Sequence, residues 1–460
     1  MKIVFCASEV VPFAKTGGLA DVTGALPLFL EKAAQEVVII LPFYKDTGKL
    51  KGIQKLSADI SYAVIGRNIK VYFIENDKYF NRQGLYGDEK NDYKDNLERF
   101  SYYCKRSLEL LKEINFAADI IHCHDWQASL IPVYLKTLFV KDAFYKNIKT
   151  ILTIHNLGYQ GLFPKDEFSL TGLDKSLFNM EALEFHGRIN LLKGGIVFSD
   201  YITTVSMTYS KEIQTKELGF GLEGVLHKKS KRLYGILNGL DYSIWDPGND
   251  PNIAAQYSAS KFIGKSKCKE ALQELCGLPK RADCILFGIV SRLAEQKGFD
   301  LLSGIMDKIC KTDIQLVILG TGEARYHQIL KSIADKYREN FALYLKFDDS
   351  LAHKIYAGAD AFIMPSRYEP CGLGQIISLR YGTLPLVYKT GGLADTVTEH
   401  CGFVFDEYSK EALLKCVTQA ASIFSQTQKW NERMQNAFAC DFSWEKSALE
   451  YVKLYKEAIQ

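Results

Sequence analysis

The chain has 460 residues, more than the roughly 250 to 300 that a single hydrophobic core supports, so two domains are expected. With 47% hydrophobic and 24% charged residues and a net charge of +3, it has the make-up of an ordinary globular protein, which excludes disordered and fibrous classes. The near-neutral balance, without lysine-rich blocks interleaved with aromatics, argues against a nucleic-acid partner and leaves room for a local basic pocket holding a small anion.

In chain order, the first signal is Lys-Thr-Gly-Gly-Leu-Ala-Asp at 15–21, and the same seven residues recur at 389–395. Each copy follows a short apolar run and precedes a helix-like stretch. The glycines, Gly17 and Gly18 in one copy and Gly391 and Gly392 in the other, therefore sit where a strand turns into a helix. Glycines there let backbone N–H groups approach an oxyanion, and the helix N-terminus adds partial positive charge. Each copy taken alone also reads as a tight αL turn. Two identical copies near opposite ends, far beyond a solenoid period of roughly 20 to 50 residues, point instead to two similar domains.

Apolar runs at 37–41, 119–122, 150–154 and 202–205 alternate with helix-like segments, which predicts a parallel sheet with helices on both faces. Within this series, His122, Cys123, His124 and Asp125 resemble a metal cluster. Adjacent strand residues point to opposite faces and cannot all ligate one ion, so no metal site is expected. Residues 241–260 are rich in Asp, Asn, Ser, Gly and Pro and read as an inter-domain hinge. Runs at 284–290, 315–319, 361–364 and 384–388 form a second alternating series. The fold class expected is α/β: two doubly wound parallel-sheet domains, 1–240 and 241–460, facing a central cleft.

The 11 cysteines are scattered without a Cys-x-x-Cys pair, which indicates reduced thiols rather than a disulfide framework or zinc site. No signal-peptide pattern opens the chain and no run nears the roughly 20 apolar residues of a membrane span, so a cytoplasmic setting without a membrane partner is expected. No motif sets an oligomeric state.

Ligands of doubly wound sheets bind beyond the C-terminal strand ends, and most candidate residues follow an apolar run. Arg292 and Lys297 could hold a diphosphate, arginine bidentately and lysine as a point charge; they read equally as solvated surface cations. Glu369, in the loop 365–375, could bind sugar hydroxyls or simply sit near a helix N-terminus. Cys371 beside it reads as a small packed residue, since no local cue supplies an activating base. His155 and Asn156 bring polar side chains to the corresponding edge of the first domain. Asn238-Gly239 is also a strong turn dipeptide. Gly320-x-Gly322 lacks the third glycine of a dinucleotide fingerprint, and no Asp-x-Asp occurs in the chain, so phosphate would be neutralised by cations and amides.

Taken together, Lys15-Thr-Gly-Gly-Leu, His124-Asp-Trp-Gln, His155-Asn, Gly235-Ile-Leu-Asn-Gly, Ser291-Arg-Leu with Gln296-Lys-Gly, Leu319-Gly-Thr-Gly, Glu369-Pro-Cys-Gly-Leu and Thr390-Gly-Gly-Leu carry a resemblance that runs almost end to end. The chain resembles bacterial glycogen synthases and plant starch synthases, retaining glycosyltransferases of the GT-B fold. The resemblance implies transfer of glucose from ADP-glucose to the non-reducing 4-hydroxyl of an α-1,4-glucan such as glycogen or a maltooligosaccharide, with no metal or other cofactor. It implies that Arg292 and Lys297 bind the diphosphate, assisted by Lys15, Gly17 and Gly18. His155, Asn156 and Asn238 would line the glucose pocket, with His155 stabilising positive charge at the anomeric carbon. Glu369, Cys371, Gly372 and Leu373 would hold sugar hydroxyls and phosphate, and Asp21, Asp125, Thr390 and Gly391 complete the substrate-binding set. A C-terminal helix, about 444–458, would brace the first domain. Two positions depart from the wider pattern. Gly374 replaces a usual Thr or Ser, and Ile377 stands where many related retaining transferases carry a second glutamate, an acid that the glycogen synthase branch also lacks.

Overall fold

The computed structural model describes residues 1–88 and 91–460. The chain divides into two compact units, one of Met1–Gly239 with Trp444–Gln460 and one of Leu240–Ser443.

The strands of the first unit are β1 (Lys2–Cys6), β2 (Glu36–Pro42), β3 (Gln54–Lys55), β4 (Ile60–Ile65), β5 (Ile69–Ile74), β6 (Ile120–His124), β7 (Lys149–Ile154), β8 (Leu162–Pro164), β9 (Glu184–Phe185), β10 (Arg188–Asn190), β11 (Tyr201–Thr204) and β12 (Leu233–Gly235). Nine of them form one sheet in the order β12-β11-β7-β6-β1-β2-β5-β4-β3. From β12 to β5 the pairing is parallel; β1 and β2 are nearly continuous apolar runs, and β6 and β7 are buried along almost their whole length. The expected parallel sheet thus carries an antiparallel edge. Only three residues, Gly66–Asn68, separate β4 from β5, and so short a link can join only antiparallel strands. A small antiparallel sheet, β8-β10-β9, stands apart.

The second unit contains β13 (Ile285–Val290), β14 (Ile314–Leu319), β15 (Phe341–Tyr344), β16 (Ala361–Met364), β17 (Leu384–Tyr388) and β18 (Phe403–Phe405). Its sheet runs β15-β14-β13-β16-β17-β18, parallel throughout. In both units the first strand has the next strand on one side and a later one on the other: β2 and β6 flank β1, and β14 and β16 flank β13. Strand order reverses at these points, which opens a crevice at the C-terminal strand ends.

The helix Trp444–Ile459 belongs to the first unit, with Trp444, Tyr451 and Tyr455 buried in its core. The segment read as an inter-domain hinge is instead part of the second unit. Its aspartates cap local turns, with Asp241, Asp246 and Asp250 accepting N–H bonds from Ser243, Gly248 and Asn252. Asp250 is also buried against His353 and Tyr381, and Trp245 stacks on His353 with ring centroids 4.0 Å apart. The Asp, Asn and Gly residues that suggest a flexible linker make these Asx turns. Among the described residues, no helix is long and apolar enough to cross a membrane.

Candidate functional site

In the first unit, the loop after β1 carries the first glycine pair into the helix Gly18–Lys32. A Cβ added at Gly17 or Gly18 would meet nothing within 4 Å, so this loop is open. Its amides already hold an anion of the chain's own. The Glu9 carboxylate accepts from the Thr16 and Gly17 N–H groups, from Thr16 Oγ1 at 2.7 Å and from Tyr86 Oη at 2.6 Å. Lys15 and Asp21 pair with each other at 2.7 Å on the exposed rim. Glu9 has no periodic signature; its only signal is a lone carboxylate just past a buried strand.

Asp125 opens the short helix Asp125–Ala128 that follows β6, with φ at +54°, a region uncommon for residues other than glycine. That turn aims its carboxylate at the His155 backbone N–H, 2.7 Å away. Burial, with Glu9 nearby, pushes the Asp125 pKa up to about 7. His155, after β7, places Nε2 at 3.0 Å from Nδ1 of His124. Below them His122 bonds Tyr455 Oη through Nδ1 at 2.8 Å and Thr153 Oγ1 through Nε2. The three imidazoles form a column in which burial holds each below the usual histidine range, to about 3 for His122 and His155. All three are neutral at physiological pH. Asn156 Oδ1 caps the Gly158 N–H, whereas the buried Asn238 Oδ1 has no partner. No described group of three His, Cys, Asp or Glu side chains is placed to hold a metal ion.

In the second unit, the loops after β13, β16 and β17 meet at one sheet edge. Lys297 Nζ lies 2.6 Å from Glu369 Oε2, which also accepts from Ser366 Oγ at 2.9 Å. The pair is largely buried, with side chains 20% and 8% exposed. Arg292 is exposed, and its guanidinium has no partner among the described residues. Gly391, at φ +43°, and Gly392 admit the Glu369–Cys371 backbone: a Cβ on either would fall 2.0 Å from the Glu369 or Cys371 carbonyl oxygen. Gly372 takes φ +76°, and Gln375 Nε2 donates to the Cys371 and Gly372 carbonyls. Leu373 precedes the helix Gly374–Arg380 and the buried Thr390 precedes the helix Gly391–Thr396.

The twin heptapeptides thus have different roles, one open to solvent and one packed around the Glu369 loop. They lie in different units, and in the second Lys389 pairs with Asp406 rather than within its own copy. The structure also accounts for Gly374. A Cβ there would lie 3.0 Å from the Phe362 ring, 3.1 Å from Met364 Sδ and 3.3 Å from Tyr356 Oη. The space of a threonine side chain is already filled.

The chain matches the starch synthase catalytic domain over residues 2–228 and the group 1 glycosyl transferases over 277–437. It is 48% identical to the glycogen synthase of Geotalea uraniireducens over 100% of this chain and 99% of that protein. It is 44% identical to the glycogen synthase of Thermotoga maritima with the same coverage. Among solved structures it superposes on the catalytic domain of starch synthase IV from Arabidopsis thaliana bound to ADP and acarbose, with TM-score 0.90, 32% identity and 99% of both chains covered. A sucrose-phosphate synthase from Thermosynechococcus elongatus, 16% identical over 99% of this chain and 98% of that one, shares the fold with TM-score 0.65. Matched along its whole length by glycogen synthases and built as two parallel-sheet units, the chain belongs to the glycogen synthase family of GT-B glycosyltransferases.

Proposed function

We propose that the chain elongates an α-1,4-glucan by transferring glucose from ADP-glucose to a non-reducing 4-hydroxyl, with retention of configuration and without a metal ion. The Lys297–Glu369 pair, with the unpartnered Arg292 five residues before Lys297 in the segment after β13, carries this reading. Arg292 supplies a bidentate fork for phosphate, Lys297 a compact charge, and Glu369 Oε1 an acceptor for a sugar hydroxyl. The ADP and acarbose bound to the starch synthase IV domain support a nucleotide-sugar donor and a saccharide acceptor.

On the first unit, Asn156 and Asn238 offer amides to the glucose hydroxyls. A neutral His155 suits a carbon that gains positive charge, because an imidazolium there would oppose that charge. As the sugar–phosphate bond breaks, the departing phosphate takes the proton of the acceptor hydroxyl on the same face, and the protein positions the reactants and neutralises charge. A cytoplasmic setting, with no nucleic-acid or membrane partner, goes with these substrates.

The test is incorporation of labelled glucose into glycogen from ADP-glucose or UDP-glucose. Label is expected to enter polymer chiefly from ADP-glucose, with kcat/KM about a hundred-fold lower in Arg292→Ala. Incorporation from neither donor overturns the reading.

A further inference from the structure

The rings beneath His155 include one, His124, that opens the His124-Asp-Trp-Gln motif and has no role assigned in the site. His124 is fully buried on β6 against Phe5, with centroids 5.2 Å apart, and His122, with centroids 4.2 Å apart. Its Nδ1 faces Nε2 of His155 at 3.0 Å, and its own Nε2 has no partner. Both rings are neutral, so one of the two facing nitrogens carries the shared hydrogen and the other a lone pair.

Two arrangements satisfy that contact. If His155 donated, His124 would keep its hydrogen on Nε2, a buried N–H without an acceptor. If His124 donates from Nδ1, the orphan is a bare lone pair. Orphaned buried N–H groups are the rarer of the two, which favours His124 as donor. His155 then accepts at Nε2 and carries its hydrogen on Nδ1, which bonds no described residue. Asp125 fixes the same residue through its backbone N–H. His122 does not compete, because Tyr455 and Thr153 occupy both its nitrogens.

We propose that His124 is a positioning residue that fixes His155 as the Nδ1–H tautomer, so that the ring donates a hydrogen bond to a sugar oxygen. This rests on the reading that His155 lines the glucose pocket.

The test is nitrogen NMR of the full chain labelled with 15N-histidine, assigned with His155→Ala, alongside steady-state kinetics. The wild type should show His155 protonated at Nδ1 and not at Nε2. His124→Asn, whose amide N–H stands in for Nδ1–H, should keep that tautomer and most of the turnover. His124→Phe keeps the ring stack but loses the donor. It should move His155 toward the Nε2–H form and lower kcat about a hundred-fold with donor KM little changed. His155 protonated on Nε2 in the wild type, or an unchanged tautomer in His124→Phe, overturns the proposal. If the phenylalanine variant fails to fold, the wild type and the asparagine variant decide. Undiminished turnover in His155→Ala would instead overturn the glucose-pocket reading and leave the tautomer result intact.

Discussion

Gly374 shows how one side chain's absence is set by its neighbours. Phe362 and Tyr356 pack ring against ring, with centroids 4.8 Å apart, and both are almost fully buried, so neither can yield to a branched side chain. Gly374→Thr would restore the hydroxyl common in related enzymes but overpack this spot. It should lose about 1 to 3 kcal/mol in urea unfolding and should not gain activity. A threonine variant as stable as the wild type would mean that the neighbours move aside. At this scale the sequence reveals residue types but not pairings. Arg292, Lys297 and Glu369 stand out because they follow apolar runs, yet nothing along the chain links Lys297 to Glu369. Glu9 was missed because its partners, the Thr16 and Gly17 amides and Tyr86, meet it only when the loop after β1 folds back.

Two elements carry further tests. The identical glycine pairs should respond oppositely to alanine. Gly18→Ala meets open space and should change stability by less than about 0.5 kcal/mol. Gly391→Ala puts a Cβ on a carbonyl oxygen at positive φ and should cost about 3 kcal/mol with loss of activity. Equal effects in urea unfolding would contradict the different packing of the two copies. The imidazole column makes a pH prediction. His122 and His155 titrate near 3 in the folded chain against a usual 6.5. Between those values the unfolded chain binds protons that the folded one cannot, so their contribution lowers stability as pH falls from about 6.5 to about 3. Asp125, raised to about 7, acts the other way between its usual value and 7, but it is one group against three. Unfolding free energy measured against pH should fall less steeply on the acid side in His122→Phe than in the wild type. Parallel curves would contradict the neutral column. The long parallel strands were legible because burial on both faces makes them unbroken apolar runs. Strands of two or three residues, such as β3 and β9, are too short for any periodicity to register. The Asp- and Gly-rich stretch 241–260 was misread because Asx turns and flexible linkers draw on the same residues.

At the scale of the whole molecule, the repeated heptapeptide points to two similar domains, and each unit carries one copy at the C-terminal edge of its own sheet. The parallel order places the loops carrying His155 and Glu369 at the C-terminal strand ends, where strand order reverses or close to it. The same order is drawn from different side chains: the first unit offers neutral rings and amides, the second cations and a carboxylate. The most direct test is proton NMR of the reaction between ADP-glucose and a maltooligosaccharide, following the anomeric signals. The expected result is a new α-1,4 linkage at the non-reducing end, formed in step with ADP release. Release of free glucose without chain growth, a β linkage, or no reaction at all would contradict it.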